Sequence, residues 1–407
     1  MMNKQTAGPQ RWENQLECEA LRSAGPMEPG SVPHIEPLIL STVWQLDSPM
    51  AADQALSGAN DAFAYRRDGH PNERSLAHKL ASLHGASQAS ITAQGMSAIS
   101  AVAMGILEPG GQVWLGQELY GKTSRLFEHS LAKWQITTRH FDPTDKVQID
   151  ELSRQKVDLV LVETLSNPRL SVARLEDISV ATHAAGGKLV VDNTFATHLV
   201  CQPLSYGADF VVESLSKQVN GHSDSMLGLV AGNDRQLMDC IQDTISTFGM
   251  ASSPLDCYLT HRGLMSLALR LERACVNALA LAEALDALPT TIEVDYPGLT
   301  HHPQHQFAKE QLRGGYGWML TFHLPLQRPE VADLFRKLAP EIPFAPSLGD
   351  ICTTLSHPAT TSHRGYSESQ RVSLGITEGT IRVSCGVEPA EWLIEQFSQA
   401  ILDFARA

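Results

Sequence analysis

The sequence predicts an α/β protein: a mostly parallel, seven-stranded sheet domain followed by a smaller C-terminal α/β domain. Two observations predict it. Between about residues 61 and 250, seven strand-like runs (86–92, 112–116, 135–141, 157–164, 188–192, 209–214 and 225–232) alternate with amphipathic helical stretches. That alternation is the pattern of a sheet with helices on both faces. The chain's 407 residues also exceed the roughly 250–300 at which a single core usually divides. Residues 1–60 read as a short helix, a Gly/Pro-rich linker and, from about 31, an extended arm. Residues 61–255 form the large domain, and 256–407 the smaller one. The stretch 253–288 is continuously helical in character with one glycine, Gly263; 318–325 and 380–387 read as strands, and 390–407 as a final amphipathic helix.

Composition narrows the function. The formal charge of 31 − 45 = −14 argues against nucleic-acid and anionic-membrane partners. Seven scattered cysteines without a C-x-x-C pair fit a reducing compartment, hence the cytoplasm. The first thirty residues are polar and acidic with no apolar core of signal-peptide length, and no run approaches a membrane span.

The chemistry concentrates at the carboxyl ends of two expected strands, where open α/β sheets bind ligands. "DFVVESLSKQVNGHSD" (Asp209 to Asp224) places Ser214, Ser216 and Lys217 just beyond an apolar strand. A lysine partly desolvated there has a lowered pKa and a nucleophilic amine, and the flanking hydroxyls suit a phosphate. Alone, the segment also fits a solvated surface lysine. "KLVVDN" puts Asp192 at the end of the preceding strand, where a turn or helix-cap aspartate is the other reading. Together a lysine and a carboxylate so placed are what pyridoxal phosphate requires: the lysine takes the aldehyde carbon, and the carboxylate keeps the ring nitrogen protonated.

From about Pro37 to the carboxyl terminus the sequence resembles the Cys/Met-metabolism family of pyridoxal-phosphate enzymes, which includes cystathionine γ-synthases, cystathionine lyases, methionine γ-lyases and O-acylhomoserine sulfhydrylases. "YRRDGHPNERSLAHKLASLHG" (Tyr65 to Gly85), "QGMSAI", "ELYGKTSRLF", "VETLSNP", "SLSKQVNGHSD", "SLGDICTTLSHPATTSH" and "GITEGTIRVSCGVE" resemble its motifs in family order. The resemblance implies a type I pyridoxal-phosphate transferase fold with pyridoxal 5'-phosphate as cofactor. It implies a small amino-acid substrate, and a homotetramer arranged as a dimer of dimers with shared active sites. At matching positions it implies Lys217 as the cofactor-bonded lysine and Asp192 as the ring-nitrogen partner. Tyr120 would stack on the ring and serve as an acid. Gly95 and Met96 amides with Ser214 and Ser216 would hold the phosphate, helped by Tyr65 and Arg67 from a neighbouring subunit. Arg382, Asn167 and Ser347 would bind the substrate; without the resemblance, Arg382 reads as an exposed arginine on an edge strand. The implied reaction is γ-replacement or β/γ-elimination on a sulfur- or oxygen-substituted amino acid.

Departures from the family pattern sit near the expected substrate mouth. His70 and Asn72 stand in its N-P-T, Lys122 replaces the second glycine of its Y-G-G-T, Gln218 follows the lysine in place of tyrosine, and Asp350 and Cys352 stand where glycine and glutamate are common. A glutamate at 352 would attract a distal ammonium, which a thiol does not. A rival of another class is a nucleotide hydrolase, because Gly116–Thr123 ("GQELYGKT") fits G-x-x-x-x-G-K-T. His301 and His305 have the one-turn spacing of a zinc pair, for which surface histidines are the alternative, and no metal is expected. Cys352 and Cys385 read as small buried cysteines.

Overall fold

The computed structural model of the chain describes residues 33–405; the helix and linker expected in the first thirty residues lie outside the described residues. All seven expected runs become strands: β1 (Gln88–Thr92), β2 (Gln112–Gly116), β3 (Thr137–Phe141), β4 (Leu159–Glu163), β5 (Lys188–Asp192), β6 (Phe210–Ser214) and β7 (Gly228–Gly232). They form one sheet in the order β1-β7-β6-β5-β4-β2-β3. The pairs from β3 to β6 are parallel, and β7 runs antiparallel to both its neighbours. Reversal at β7 follows from its connection: residues 215–227 contain no helix, and only an antiparallel neighbour can be reached without a long crossover.

Alternate residues of the central strands separate into two apolar layers. Val160, Val162, Leu189 and Val191 pack with Leu76, Leu80 and Leu83 of the helix Pro71–His84. Leu159, Leu161, Val190 and Val212 pack with Ala98 and Val102 of the helix Gly95–Ile106 and with Ile241. The period of two is the strand's own, and each buried Val or Leu contributes roughly 1.5–3 kcal/mol. Polar residues are thereby displaced to the strand ends, where Glu163, Asp192 and Ser214 are the last residues of β4, β5 and β6.

A second, wholly antiparallel sheet has the order β10-β11-β9-β8, with β8 (Glu293–Asp295), β9 (Met319–His323), β10 (Thr354–Ser356) and β11 (Thr380–Ser384). The long helical region between the sheets is two helices, Pro254–Leu264 and Leu267–Asp286. Gly263 has a packing reason: a Cβ there would lie 2.2 Å from the Asn220 carbonyl oxygen. Just beyond the break, buried Arg270 donates to the carbonyls of Gln218 (2.8 Å), Val219 (3.2 Å) and Gly263 (2.8 Å). These bonds tie the loop after Lys217 to the connecting helices.

His70 is not at a substrate mouth. It is fully buried and caps the helix Pro71–His84, its Nδ1 accepting from Glu73 N at 3.2 Å. A neutral ring then carries its proton on Nε2, 3.1 Å from Ser252 Oγ, which donates to Glu73 Oε2 at 2.5 Å. Burial, with Arg66 nearby, lowers the His70 pKa to about 4. Burial raises the Glu73 carboxyl to about 7, against the Ser252 hydrogen bond and Arg74. Because the folded state then binds more protons than the unfolded chain, the Glu73 penalty is absent below pH ~4.5 and complete above about 7. Glu73→Gln is therefore expected to raise Tm relative to wild type at pH 8, with a limit of about 3 kcal/mol, and to give little gain at pH 4.5. An equal Tm difference at both pH values, measured by thermal unfolding, would refute the assignment.

Candidate active site

A cavity of about 500 Å³ opens at the carboxyl ends of β4, β5 and β6 and is closed from the other side by the second sheet and the loop 346–348. Lys217, Asp192, Tyr120, Gly95, Met96, Ser214, Ser216, Asn167, Ser347 and Arg382 all line it. Each arrives by its own element. β5 ends in Asp192, β6 ends in Ser214, the helix Gly95–Ile106 opens on Gly95, and Arg382 lies mid-strand in β11.

Lys217 follows β6 through a turn in which its amide donates to Ser214 O at 3.2 Å. Its Nζ donates to Ser347 Oγ at 3.1 Å. Burial, then the Arg382 guanidinium, lowers the Lys217 pKa, so the amine is available as a nucleophile and base. Asp192 Oδ1 accepts from Thr194 N (3.0 Å) and Thr194 Oγ1 (2.5 Å). Burial raises its pKa despite these bonds, and no cation of the chain pairs with it among the described residues. Glu163 stands beside Asp192 in the β4–β5 register. Its Oε1 accepts from Tyr120 N at 2.7 Å, and burial with the Asp192 charge holds its pKa well above the usual carboxylate range. Tyr120 is raised by burial, against the pull of Arg382, so its phenol stays protonated at neutral pH.

Arg382 is not the exposed edge arginine of the alternative reading: it is 4% exposed and lies on β11, between β10 and β9. Its NH1 donates to Asn167 Oδ1 at 2.7 Å, while Nε is buried with no acceptor. Desolvation lowers the guanidinium to about 10, against Glu163 and Tyr120; an anion in the cavity would satisfy the free donor.

The residues fit pyridoxal phosphate. The first amides of the Gly95–Ile106 helix have no intrahelical acceptors and face the cavity, which suits a phosphate. A Cβ on Gly95 would lie 2.8 Å from Ser214 Cβ, so glycine lets the helix start approach β6. Ser214 Oγ has no partner among the described residues. Ser216 Oγ differs, being engaged with Leu227 as donor to O (3.2 Å) and acceptor from N (3.0 Å). Asp192 supplies an unpaired acid for a ring nitrogen, and Lys217 an amine.

Tyr65 and Arg67 do not line this chain's own cavity. Tyr65 is exposed, and the Arg67 guanidinium lies 4.9 Å from its ring centroid. Cys352 is exposed rather than buried, and it and Asp350 are absent from the cavity lining. Asp350 accepts from Cys352 N (2.9 Å) and from the Ser223 hydroxyl. Cys385 is buried as expected. His301 faces Asp286 at 3.6 Å and His305 Nδ1 faces the Pro297 carbonyl at 3.0 Å. Among the described residues the one clustered metal-type donor set, Glu293, Asp295 and His323, is bonded by Arg169.

Sequence reasoning missed Glu163, Thr194 and Arg364 as cavity residues. Glu163 carried the same signal as Asp192, an acid closing an apolar strand, within the quoted "VETLSNP".

Parallel strands that end on acids, a buried lysine just past β6 and an arginine across the same cavity suit an aldehyde cofactor held beside an amino-acid carboxylate. Residues 23–402 match the model of the Cys/Met metabolism PLP-dependent enzyme family, and the chain belongs to that family. It is 34% identical to L-methionine gamma-lyase of Fusobacterium nucleatum subsp. polymorphum, over 90% of this chain and 92% of the relative. It is 33% identical to cystathionine gamma-lyase of Bos taurus, over 90% and 88%. Cystathionine gamma synthase of Xanthomonas oryzae pv. oryzae, solved in complex with cystathionine, superposes with a TM-score of 0.90 at 32% identity, covering 96% of this chain and 98% of that one. The protein is thus a pyridoxal-phosphate-dependent enzyme of Cys/Met metabolism. The hydrolase reading of Gly116–Thr123 falls with this: Gly116 closes β2, and Lys122 lines the same cavity as Lys217.

Proposed function

We propose that this enzyme carries out γ-replacement or β/γ-elimination on a sulfur- or oxygen-substituted amino acid, of the cystathionine γ-synthase or γ-lyase type. The observation that carries the reading is the convergence of Lys217, Asp192, Tyr120 and Arg382 on one cavity. Arg382, oriented by Asn167, takes the substrate α-carboxylate. Bound pyridoxal phosphate supplies an electron sink that acidifies the Cα and Cβ positions of the amino acid. Lys217 is the residue that would hold the aldehyde carbon of the cofactor and would move the substrate's Cα proton, with Ser347 3.1 Å away to orient it. Asp192 holds the proton at the ring nitrogen. Tyr120, kept protonated by burial, donates to the departing sulfur or oxygen. Gly95, Met96 and Ser214 hold the phosphate, and Ser216 joins them only if its hydroxyl leaves Leu227.

A product assay tests the reaction: cystathionine, methionine, and an O-acylhomoserine with cysteine or sulfide. Keto acid and ammonia, or a new thioether, are expected from at least one; no turnover of any by the cofactor-loaded enzyme contradicts the reading.

The active site is shared between subunits of a tetramer, a pair of dimers. Ile35, Leu40, Val43, Met50 and Leu56, on and just after the arm, are each more than 60% exposed in the single chain, an apolar surface that suits burial by a partner. Tyr65 pairs with Val43 of this segment in an antiparallel bridge, and neither it nor Arg67 lines its own chain's cavity. Mixing inactive Lys217→Ala with inactive Arg67→Ala subunits is expected to restore activity after exchange, because some hybrid sites combine two intact contributions. Absence of recovery after verified exchange, or a fully active monomer, rules the shared site out. The enzyme works in the cytoplasm; among the described residues no helix is long and apolar enough to cross a membrane.

A further inference from the structure

The cavity mouth carries a charge pattern that the reaction so far leaves unused. Glu163 and Asp192 are the cavity's two carboxylates. Both lie at strand ends on its floor, where Tyr120 N and Thr194 hold them. Of its four cations, Lys217 and Arg382 belong to the chemistry, and the remaining two are Lys122 and Arg364. Both are exposed, and neither has an ion-pair partner among the described residues. In a chain of formal charge −14, two unneutralised cations on one rim are a local inversion of the protein's field.

Two contacts bring them together. Lys122 sits on the helix Gly121–Arg125, directly after Tyr120 and Gly121. Arg364 lies in the loop 361–367, between the short helix Pro358–Thr360 and the helix Glu368–Ser373. The helix and the loop touch at Gly121, where a Cβ would lie 2.6 Å from Ser362 O and 3.4 Å from the Tyr366 ring, so a side chain there would displace the loop that carries Arg364. Lys122 follows Tyr120, the phenol proposed to protonate the departing atom, by two residues and lines the same cavity. His363, between Ser362 and Arg364, is buried, and burial with Arg382 lowers its pKa to about 4. It adds no charge at neutral pH.

We propose that Lys122 and Arg364 form a subsite for a negatively charged end of the substrate's γ-substituent, a carboxylate or phosphate carried on the leaving group. The proposal rests on the reaction proposed above and sharpens it to a substrate class. Cys352 does not line the cavity, and His70 is buried elsewhere. Among the departures from the family pattern named above, Lys122 is the one placed to act on the distal group.

The test is binding to the cofactor-loaded enzyme, read from the visible absorption of the bound cofactor, with L-2-aminoadipate and L-norleucine as probes. The two have comparable length and differ in a terminal carboxylate. The aminoadipate is expected to bind about tenfold more tightly, with the preference shrinking as salt is raised. Lys122→Met and Arg364→Met should each lower the preference, and Lys122→Glu should reverse it. Equal affinities, or a preference unmoved in all three variants, overturns the subsite while leaving the proposed reaction standing. Failure of both amino acids to bind overturns both. The kinetic counterpart is the kcat/KM ratio of O-succinyl- to O-acetylhomoserine, which should fall in parallel in Lys122→Met.

Discussion

Lys217→Ala is expected to lower kcat by roughly 10⁴-fold or more, the scale seen when a group serving as both covalent partner and base is removed. The variant should keep pyridoxal phosphate weakly, because Gly95, Met96, Ser214 and Asp192 remain, but lose the visible absorption that depends on the lysine bond. Lys217→Arg should not rescue it. A guanidinium keeps its proton at any working pH and cannot attack an aldehyde. Burial and the Arg382 charge favour a neutral amine at this position, and alanine offers no substitute. Absorbance and product assays on the same preparation check the result; near-normal turnover by the alanine variant would remove Lys217 from the chemistry.

Arg382→Met should come next in size. A buried guanidinium that meets a carboxylate through charge-assisted bonds is worth about 2–5 kcal/mol when one partner is truncated, a loss of roughly 30- to 5,000-fold in kcat/KM. The loss should fall chiefly on KM, since in the proposed reaction Arg382 orients the substrate and Lys217 moves the proton. The variant also leaves the Asn167 amide oxygen without its donor and removes the cation facing Glu163, so Tm and cofactor absorption must be measured alongside. With both retained, a kcat/KM within threefold of wild type would show that the α-carboxylate is held elsewhere.

The central sheet was legible because most of its strands are short apolar runs, four of the seven ended by Gly, Asp or Glu, and such runs have few other solutions in a chain with amphipathic stretches between them. The reversed direction of β7 was not legible: "SMLGLVAG" reads the same in either orientation, and the decision lies in the helix-free loop before it. β8 and β10 were missed because three residues carry too little periodicity to register. Gly263 was seen but not understood, since its reason is the Asn220 carbonyl 43 positions away in sequence.

Within the site, Lys217 and Asp192 could be read locally from their positions at strand ends. Arg382 could not. A charged residue in a strand defaults to an exposed edge, and only the pairing of β11 with both β9 and β10, together with Asn167, explains its burial. His70 erred in the opposite direction. Its place in a substrate-facing family motif suggested the mouth, whereas the imidazole is spent on capping a helix and on Ser252. Cys352 misled for a similar reason, because sequence position beside Ser347 does not settle which side of the loop faces the cavity.

The most direct measurement reduces the purified holoenzyme with borohydride, digests it, and locates the cofactor by mass spectrometry. One pyridoxyl group per chain is expected, on the peptide containing Lys217, with loss of visible absorption and of activity in proportion. Label on Lys122, on another lysine, or on none while activity is abolished would contradict it.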